Sequence, residues 1–328
     1  MTLSILVIGC GHIATAHHGP ALAAHAAVSP ELRLAACCDT DAARAATFAG
    51  KFGFARSYAD AATMLAAERA DAVMLLVPPD RTAALAASVM AAGCRNLLIE
   101  KPPGLNADEA RTIHCAAQIH GATPMVAFNR RHMPVVRELR GRLGLLPPGD
   151  IHHIRYELIR YRRTDRDFSV TAIHGLDTAR FLAGSDYAQL EFAYKELPHI
   201  SQGVANITAR GSFVSGTAVD LIFAPVSGAN IERVTVHARD RMLVAELPFG
   251  SSLGGCGRLI EYRDGAVSDL WEVDSRPGDG NGFHEEIGEF LSCAAEGRAP
   301  EDDVLSAVQA VEAAACIRSR AGRFGNSE

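Results

Sequence analysis

Along the first 128 residues, short runs of apolar residues alternate with alanine-rich stretches of helical character. The runs at 4–8, 32–38, 72–77, 96–99 and 124–128 predict strands. The stretches near 13–25, 41–52, 80–92 and 106–120 predict helices between them. Near-continuous apolar strands such as Val73-Met74-Leu75-Leu76-Val77 suit a sheet covered on both faces. The strand–helix alternation implies βαβ crossovers and a parallel sheet. Beyond about residue 145 strand-like stretches follow one another, near 151–161, 187–196, 203–213, 215–224, 231–238, 242–247, 258–263 and 267–273. Alternation in Thr217-Ala218-Val219-Asp220-Leu221-Ile222-Phe223 predicts a large, mainly antiparallel sheet. One helix near 170–183 interrupts it, and two more, near 284–296 and 303–320, follow.

The expected fold class is therefore α/β: a Rossmann domain with a parallel sheet, then an α/β domain on an open, mostly antiparallel sheet. Pro147-Pro148-Gly149 and Gly121-Ala122-Thr123-Pro124 are the two candidate breaks, and the boundary is set at 1–122 and 123–328. A length of 328 residues suits two domains. The net charge of −6 offers no basic field, so nucleic acid is not an expected partner. No apolar run reaches the roughly 20 residues of a membrane helix, and the N-terminal run lacks a basic flank, which predicts a buried strand and a cytoplasmic protein. None of the eight cysteines forms a C-x-x-C pair; they read as buried thiols, and no metal is expected.

Gly9-Cys10-Gly11-His12-Ile13-Ala14 fits G-x-G-x-x-A between a strand and a helix. Gly9 permits the tight turn, Gly11 lets backbone approach a pyrophosphate, and Ala14 keeps helix and strand close. The helix N-terminus then faces the anion, with Gly9, Gly11, His12 and Ile13 as dinucleotide contacts. Asp39 ends the second strand, where a carboxylate accepts from the adenosine ribose hydroxyls, or else caps the following helix. No arginine or lysine occurs between 39 and 43 to hold a 2′-phosphate, which favours NAD over NADP.

Glu100-Lys101-Pro102 follows the strand Leu97-Leu98-Ile99. With the glycine turn, Val77-Pro78-Pro79, Phe128-Asn129-Arg130-Arg131 and His174-x-x-Asp177, the chain resembles the Gfo/Idh/MocA oxidoreductases. The resemblance implies that the first domain binds NAD or NADP, with Pro78, Glu100 and Lys101 among the contacts. It implies a sugar-, cyclitol- or polyol-like substrate and hydride transfer between its alcohol or ketone carbon and the nicotinamide. It also implies a homodimer or homotetramer assembled through the second sheet. Lys101 is expected to contact the reacting oxygen and His174 to handle its proton, with Asn129 and Arg130 as further substrate contacts. The chemistry agrees: a histidine titrates near neutral pH, and an ammonium stabilises developing negative charge on oxygen. Asp177, three residues after His174 on one helix face, orients the imidazole, contacts substrate, or is simply half of a polar pair.

One position departs from the family pattern. An aspartate commonly stands four residues before this histidine, and here that position is Val170. Asp167 or Thr171 would have to substitute. Alternation places Arg160 and Arg162 with Ile154, Tyr156 and Leu158, and Arg155, Arg160, Arg162, Arg163 and Arg166 form a basic stretch. Arg163 is the chosen candidate for a substrate carboxylate or phosphate, against a solvated loop or a subunit contact. Two other readings stand beside a dehydrogenase: a cofactor-binding sensor or co-regulator without catalysis, and a glycoside-cleaving enzyme with tightly held NAD.

Overall fold

The computed structural model describes residues 2–249, 255, 257–273 and 279–325. The chain divides into two compact units, residues 1–128 with 283–311, and residues 129–282 with 312–328. The polypeptide thus passes between units three times.

The first unit is built on six parallel strands, β1 Leu3–Ile8, β2 Leu32–Cys38, β3 Arg56–Tyr58, β4 Ala72–Leu75, β5 Asn96–Glu100 and β6 Thr123–Ala127, in the order β3-β2-β1-β4-β5-β6. Ile5, Leu6, Val7 and Ile8 are all buried, as successive side chains must be when both faces of a strand are covered. A π-helical turn, Ala14–His18, leads into α1 Gly19–Val28. Then come α2 Ala42–Phe52, α3 Ala61–Ala67, α4 Pro79–Ala91 and α5 Ala107–His120. Asp41, Asp60 and Asn106 cap α2, α3 and α5 by accepting from first-turn N–H groups. The expected boundary at 122/123 falls just before β6, which stays in this sheet as its sixth strand. The segment 283–311 returns to the same unit: Ile287 and Phe290 join the core of Ile5, Val7, Leu22 and Phe48, and Val126 N–H donates to the Asp302 carbonyl at 2.8 Å.

The second unit opens with α6 Asn129–His132 and α7 Pro134–Gly144, then β7 Ile151–Tyr161 and α8 Ser169–Ala183. Seven strands follow: β8 Tyr187–Glu196, β9 Ala205–Phe213, β10 Ala218–Ser227, β11 Ile231–Ala238, β12 Arg241–Glu246, β13 Arg258–Arg263 and β14 Ala266–Glu272. After α9 Phe283–Glu296 and α10 Val304–Ser319, the short β15 Arg323–Phe324 completes a nine-stranded sheet, β14-β13-β12-β11-β7-β10-β9-β8-β15. Within it β7 and β10 run parallel; the other pairs are antiparallel among the described residues. On β7, Ile154, Tyr156, Leu158 and Arg160 are buried, whereas Arg155 points out. Arg162 does not continue that face: it takes a positive φ of 54°, is exposed, and lies over the Tyr161 ring. Cys115 is exposed, contrary to the expectation for the cysteines, because it sits on the outer side of α5; Cys256 lies outside the described residues.

Candidate functional site

In the first unit the glycine turn does two separate jobs. Gly9 has φ +97°, and a Cβ there would come within 2.3 Å of the Leu76 carbonyl oxygen, so the turn closes against the end of the neighbouring strand. At Gly11, by contrast, a Cβ would meet nothing within 4 Å. The open side at Gly11 faces a cavity of about 630 Å³, lined also by His12, Thr15, Arg44, Thr47 and Lys51. His12 is exposed, Ile13 is half-buried, and Ala14 is fully buried under the helix.

Asp39 ties the end of β2 to this turn. Its Oδ2 accepts from the Cys10 N–H at 2.9 Å, and its Oδ1 accepts from the Asp41 N–H at 3.0 Å and from Arg44 at 3.1 Å. Burial alone would raise the pKa of this carboxyl, but the Asp41 and Cys10 N–H groups and Arg44 hold it below the ordinary carboxylate value. The helix cap is Asp41, which accepts from Ala43 and Arg44 N–H at 3.1 Å, so capping does not account for Asp39. Arg44 was missed in the sequence. It lies one residue beyond 39–43 and bridges Asp39 at 3.1 Å and Asp41 at 3.2 Å.

Pro78 is exposed at the N-terminus of α4. Glu100 ends β5, and its Oε2 lies 2.9 Å from Nε2 of the buried His18. Lys101, half-buried, is the next residue, and its bond to Pro102 is cis. The structure therefore places Gly9, Gly11, His12, Ile13 and Asp39 together, and Glu100 and Lys101 together at the end of β5.

In the second unit Gly175 controls how deep α8 sits: a Cβ there would lie 2.7 Å from the Phe223 ring and 3.1 Å from Tyr156. That close approach buries His174, at 7% exposure, and Asp177, at 1%. Asp177 is gripped by Arg131, whose Nε donates to Oδ2 at 2.8 Å and whose second nitrogen donates to Oδ1 at 2.5 Å. Its carboxylate is thus half of a buried bidentate ion pair, the polar-pair reading of this residue. Asn129 and Arg130 also have partners within the second unit. Asn129 donates to the Asn281 carbonyl at 2.8 Å and accepts from Arg130 at 3.0 Å. Arg130 forks onto Glu232 at 2.9 and 3.1 Å.

Glu232 is the centre of a cluster the sequence did not disclose. Arg160 and the Tyr156 hydroxyl also donate to it, and the Arg160 guanidinium lies over the Phe249 ring at 3.7 Å. Burial opposes ionisation of Glu232, but the two arginines hold its carboxyl well below the usual range. Arg163 is exposed, paired with Asp165 at 2.6 Å and 3.3 Å from the Thr171 hydroxyl. Asp167 accepts from the Ser169 N–H at 3.0 Å at the start of α8 and pairs with Arg318 at 2.7 Å.

Comparison with known proteins agrees with this organisation. Over 216 residues the chain is 30% identical to an inositol 2-dehydrogenase of Burkholderia cenocepacia, covering 63% of this chain and 62% of that protein. The chain thus spans less than two thirds of that relative. Its fold matches UDP-N-acetylglucosamine 3-dehydrogenase from Acidithiobacillus ferrooxidans with a TM-score of 0.81, at 24% identity and 97% coverage of each chain. It also matches levoglucosan dehydrogenase, solved with NADH and levoglucosan, with a TM-score of 0.83, at 17% identity and 99% coverage of each. Residues 3–128 match the model of the Gfo/Idh/MocA family, an oxidoreductase family with an NAD-binding Rossmann fold.

Proposed function

We propose that this protein is an NAD-dependent oxidoreductase acting on a CH–OH group of a sugar- or cyclitol-like substrate. The observation that carries the reading is the Asp39 carboxylate held against the glycine turn, beside a cavity that opens at a Cβ-free Gly11. That arrangement fits a dinucleotide: Gly11 and the N–H groups after it for the pyrophosphate, and Asp39 for the ribose hydroxyls. When bound, NAD supplies a hydride acceptor. The polyol, sugar-nucleotide and anhydrosugar substrates named for the relatives support the substrate class.

Lys101, following β5 in the first unit, has the role of stabilising negative charge on a reacting oxygen, and His174, on α8 of the second unit, that of a proton acceptor. Asp177 and Arg131 act together as a fixed brace one turn along α8 from His174. Assembly as a homodimer or homotetramer through the second sheet belongs to the same reading, as does a cytoplasmic location. Val267 and Leu270, apolar and exposed on β14, support the former. No helix among the described residues is long and apolar enough to cross a membrane.

The test is NADH formation with a panel of polyols, sugars, sugar acids and nucleotide sugars. Turnover that falls at least 100-fold in Lys101→Ala, with NAD affinity within about threefold of wild type, is expected; that loss corresponds to about 2.7 kcal/mol of transition-state stabilisation. Saturable NAD binding with no turnover on any substrate would favour a sensor instead.

A further inference from the structure

The tandem histidines His17 and His18 fall inside the π-helical turn, and the wider turn separates their tasks. His17 stacks on Phe283, with centroids 4.5 Å apart and planes 9° from parallel. His18 meets the same ring edge-on and is buried at 1% exposure, with Nε2 directed at Glu100 at 2.9 Å. Its Nδ1 is buried and has no hydrogen-bond partner among the described residues. A proton on Nδ1 would be an orphaned buried donor, so the arrangement assigns the proton to Nε2, which donates to the Glu100 carboxylate. Glu100 side chain is 11% exposed, and its carboxylate closes the end of β5 one residue before Lys101.

We infer that His18 is a positioning residue: its Nε2–H fixes the Glu100 carboxylate and, through the shared backbone, the approach of Lys101 to the bound nicotinamide and substrate. Three things make the link more than packing. The donor is aimed at one oxygen, the ring meets Phe283 at near right angles, and the helix is locally widened where the ring leaves it. Displacing a reacting group by about 1 Å can cost 10²-fold in rate, so a single lost hydrogen bond here is felt in chemistry.

The inference rests on the oxidoreductase reading for its kinetic arm only; NADH affinity, read by fluorescence titration, supplies an arm independent of turnover. His18→Leu keeps the side-chain volume and removes the donor; His18→Gln returns an N–H donor near the position of Nε2. His18→Leu is expected to weaken NADH binding three- to tenfold and to lower kcat at least tenfold with little change in substrate KM. His18→Gln is expected to recover most of both. In Glu100→Gln the histidine still donates to a side-chain oxygen, so its losses should be smaller than those of His18→Leu. The inference is overturned if folded His18→Leu matches wild type within twofold in both readouts, or if His18→Gln is as impaired as His18→Leu. Should wild type bind NADH yet turn over no substrate, the functional reading fails while the affinity comparison still decides the role of His18.

Discussion

Replacing Glu232 with glutamine removes one charge and almost no volume from the second unit. The acid stands between two arginines, with side-chain exposures of 0% for Glu232, 7% for Arg130 and 1% for Arg160. At about 3 Å and an effective dielectric near 20, each contact contributes roughly 5 kcal/mol of attraction. Desolvation of three ions and repulsion between the arginines offset much of that. The expected net loss in Glu232→Gln is about 3–5 kcal/mol, because two buried guanidinium groups are left without their counter-ion. For a unit of this size that corresponds to a fall in Tm of roughly 6–20 °C. Urea denaturation followed by circular dichroism would measure it, using the transition that reports the second unit. The triple variant Glu232→Leu, Arg130→Met, Arg160→Met should recover to within about 2 kcal/mol of wild type, since well-packed apolar groups commonly replace buried ion clusters at no loss. A loss below about 1 kcal/mol in Glu232→Gln alone would refute the reasoning and mean that the arginines are neutralised by other groups.

Two further outcomes follow from the geometry. Gly9→Ala should cost at least about 2 kcal/mol in urea unfolding, since it combines a positive φ with a clash on the Leu76 carbonyl, whereas Gly11→Val should fold normally yet lower NAD affinity at least tenfold in calorimetric titration. The Glu232 carboxyl has a folded pKa below its unfolded value, so its contribution is fully present above about pH 4.3 and is lost as pH falls toward the depressed value. Urea midpoints from pH 7 to pH 3 should therefore drop more steeply in wild type than in Glu232→Gln, and parallel curves would contradict the assignment.

The alternation of apolar runs with alanine-rich helices was enough to place most elements of the first unit, because buried parallel strands leave an unbroken apolar signature. It missed β3, whose Arg-Ser-Tyr is exposed or half-buried and carries no such signature. It also missed α6, a four-residue turn whose Asn-Arg-Arg-His looks like surface and is buried. That element shows why the second-unit residues were harder to read than the glycine turn. Gly9 and Asp39 have their roles set by neighbours close in sequence or on the adjacent strand. Arg130 and Asp177 depend on partners at 232 and 131, a separation that no local pattern reports. The sequence read both as substrate or catalytic groups; the structure gives each a buried opposite charge. His17 and His18 are adjacent and no local pattern separates them; the widened turn sends His17 onto Phe283 and His18 toward Glu100.

The three passages of the chain between the units bear on how the protein can be dissected. A fragment ending at residue 128 carries all six parallel strands but lacks Ile287 and Phe290, which are 0% and 1% exposed in that unit's core. Conventional N-terminal and C-terminal fragments would each expose apolar surface that belongs under the other fragment's residues, so neither is a sound reagent for measuring cofactor affinity alone. An isolated dinucleotide-binding module would instead need 283–311 rejoined to 1–128 by a designed linker, with the α10 helix, which is continuous from Val304 to Ser319, cut at its middle. By the same token, proteolytic nicking near the boundary need not release a piece, because the severed strand ends remain held by the returning helix.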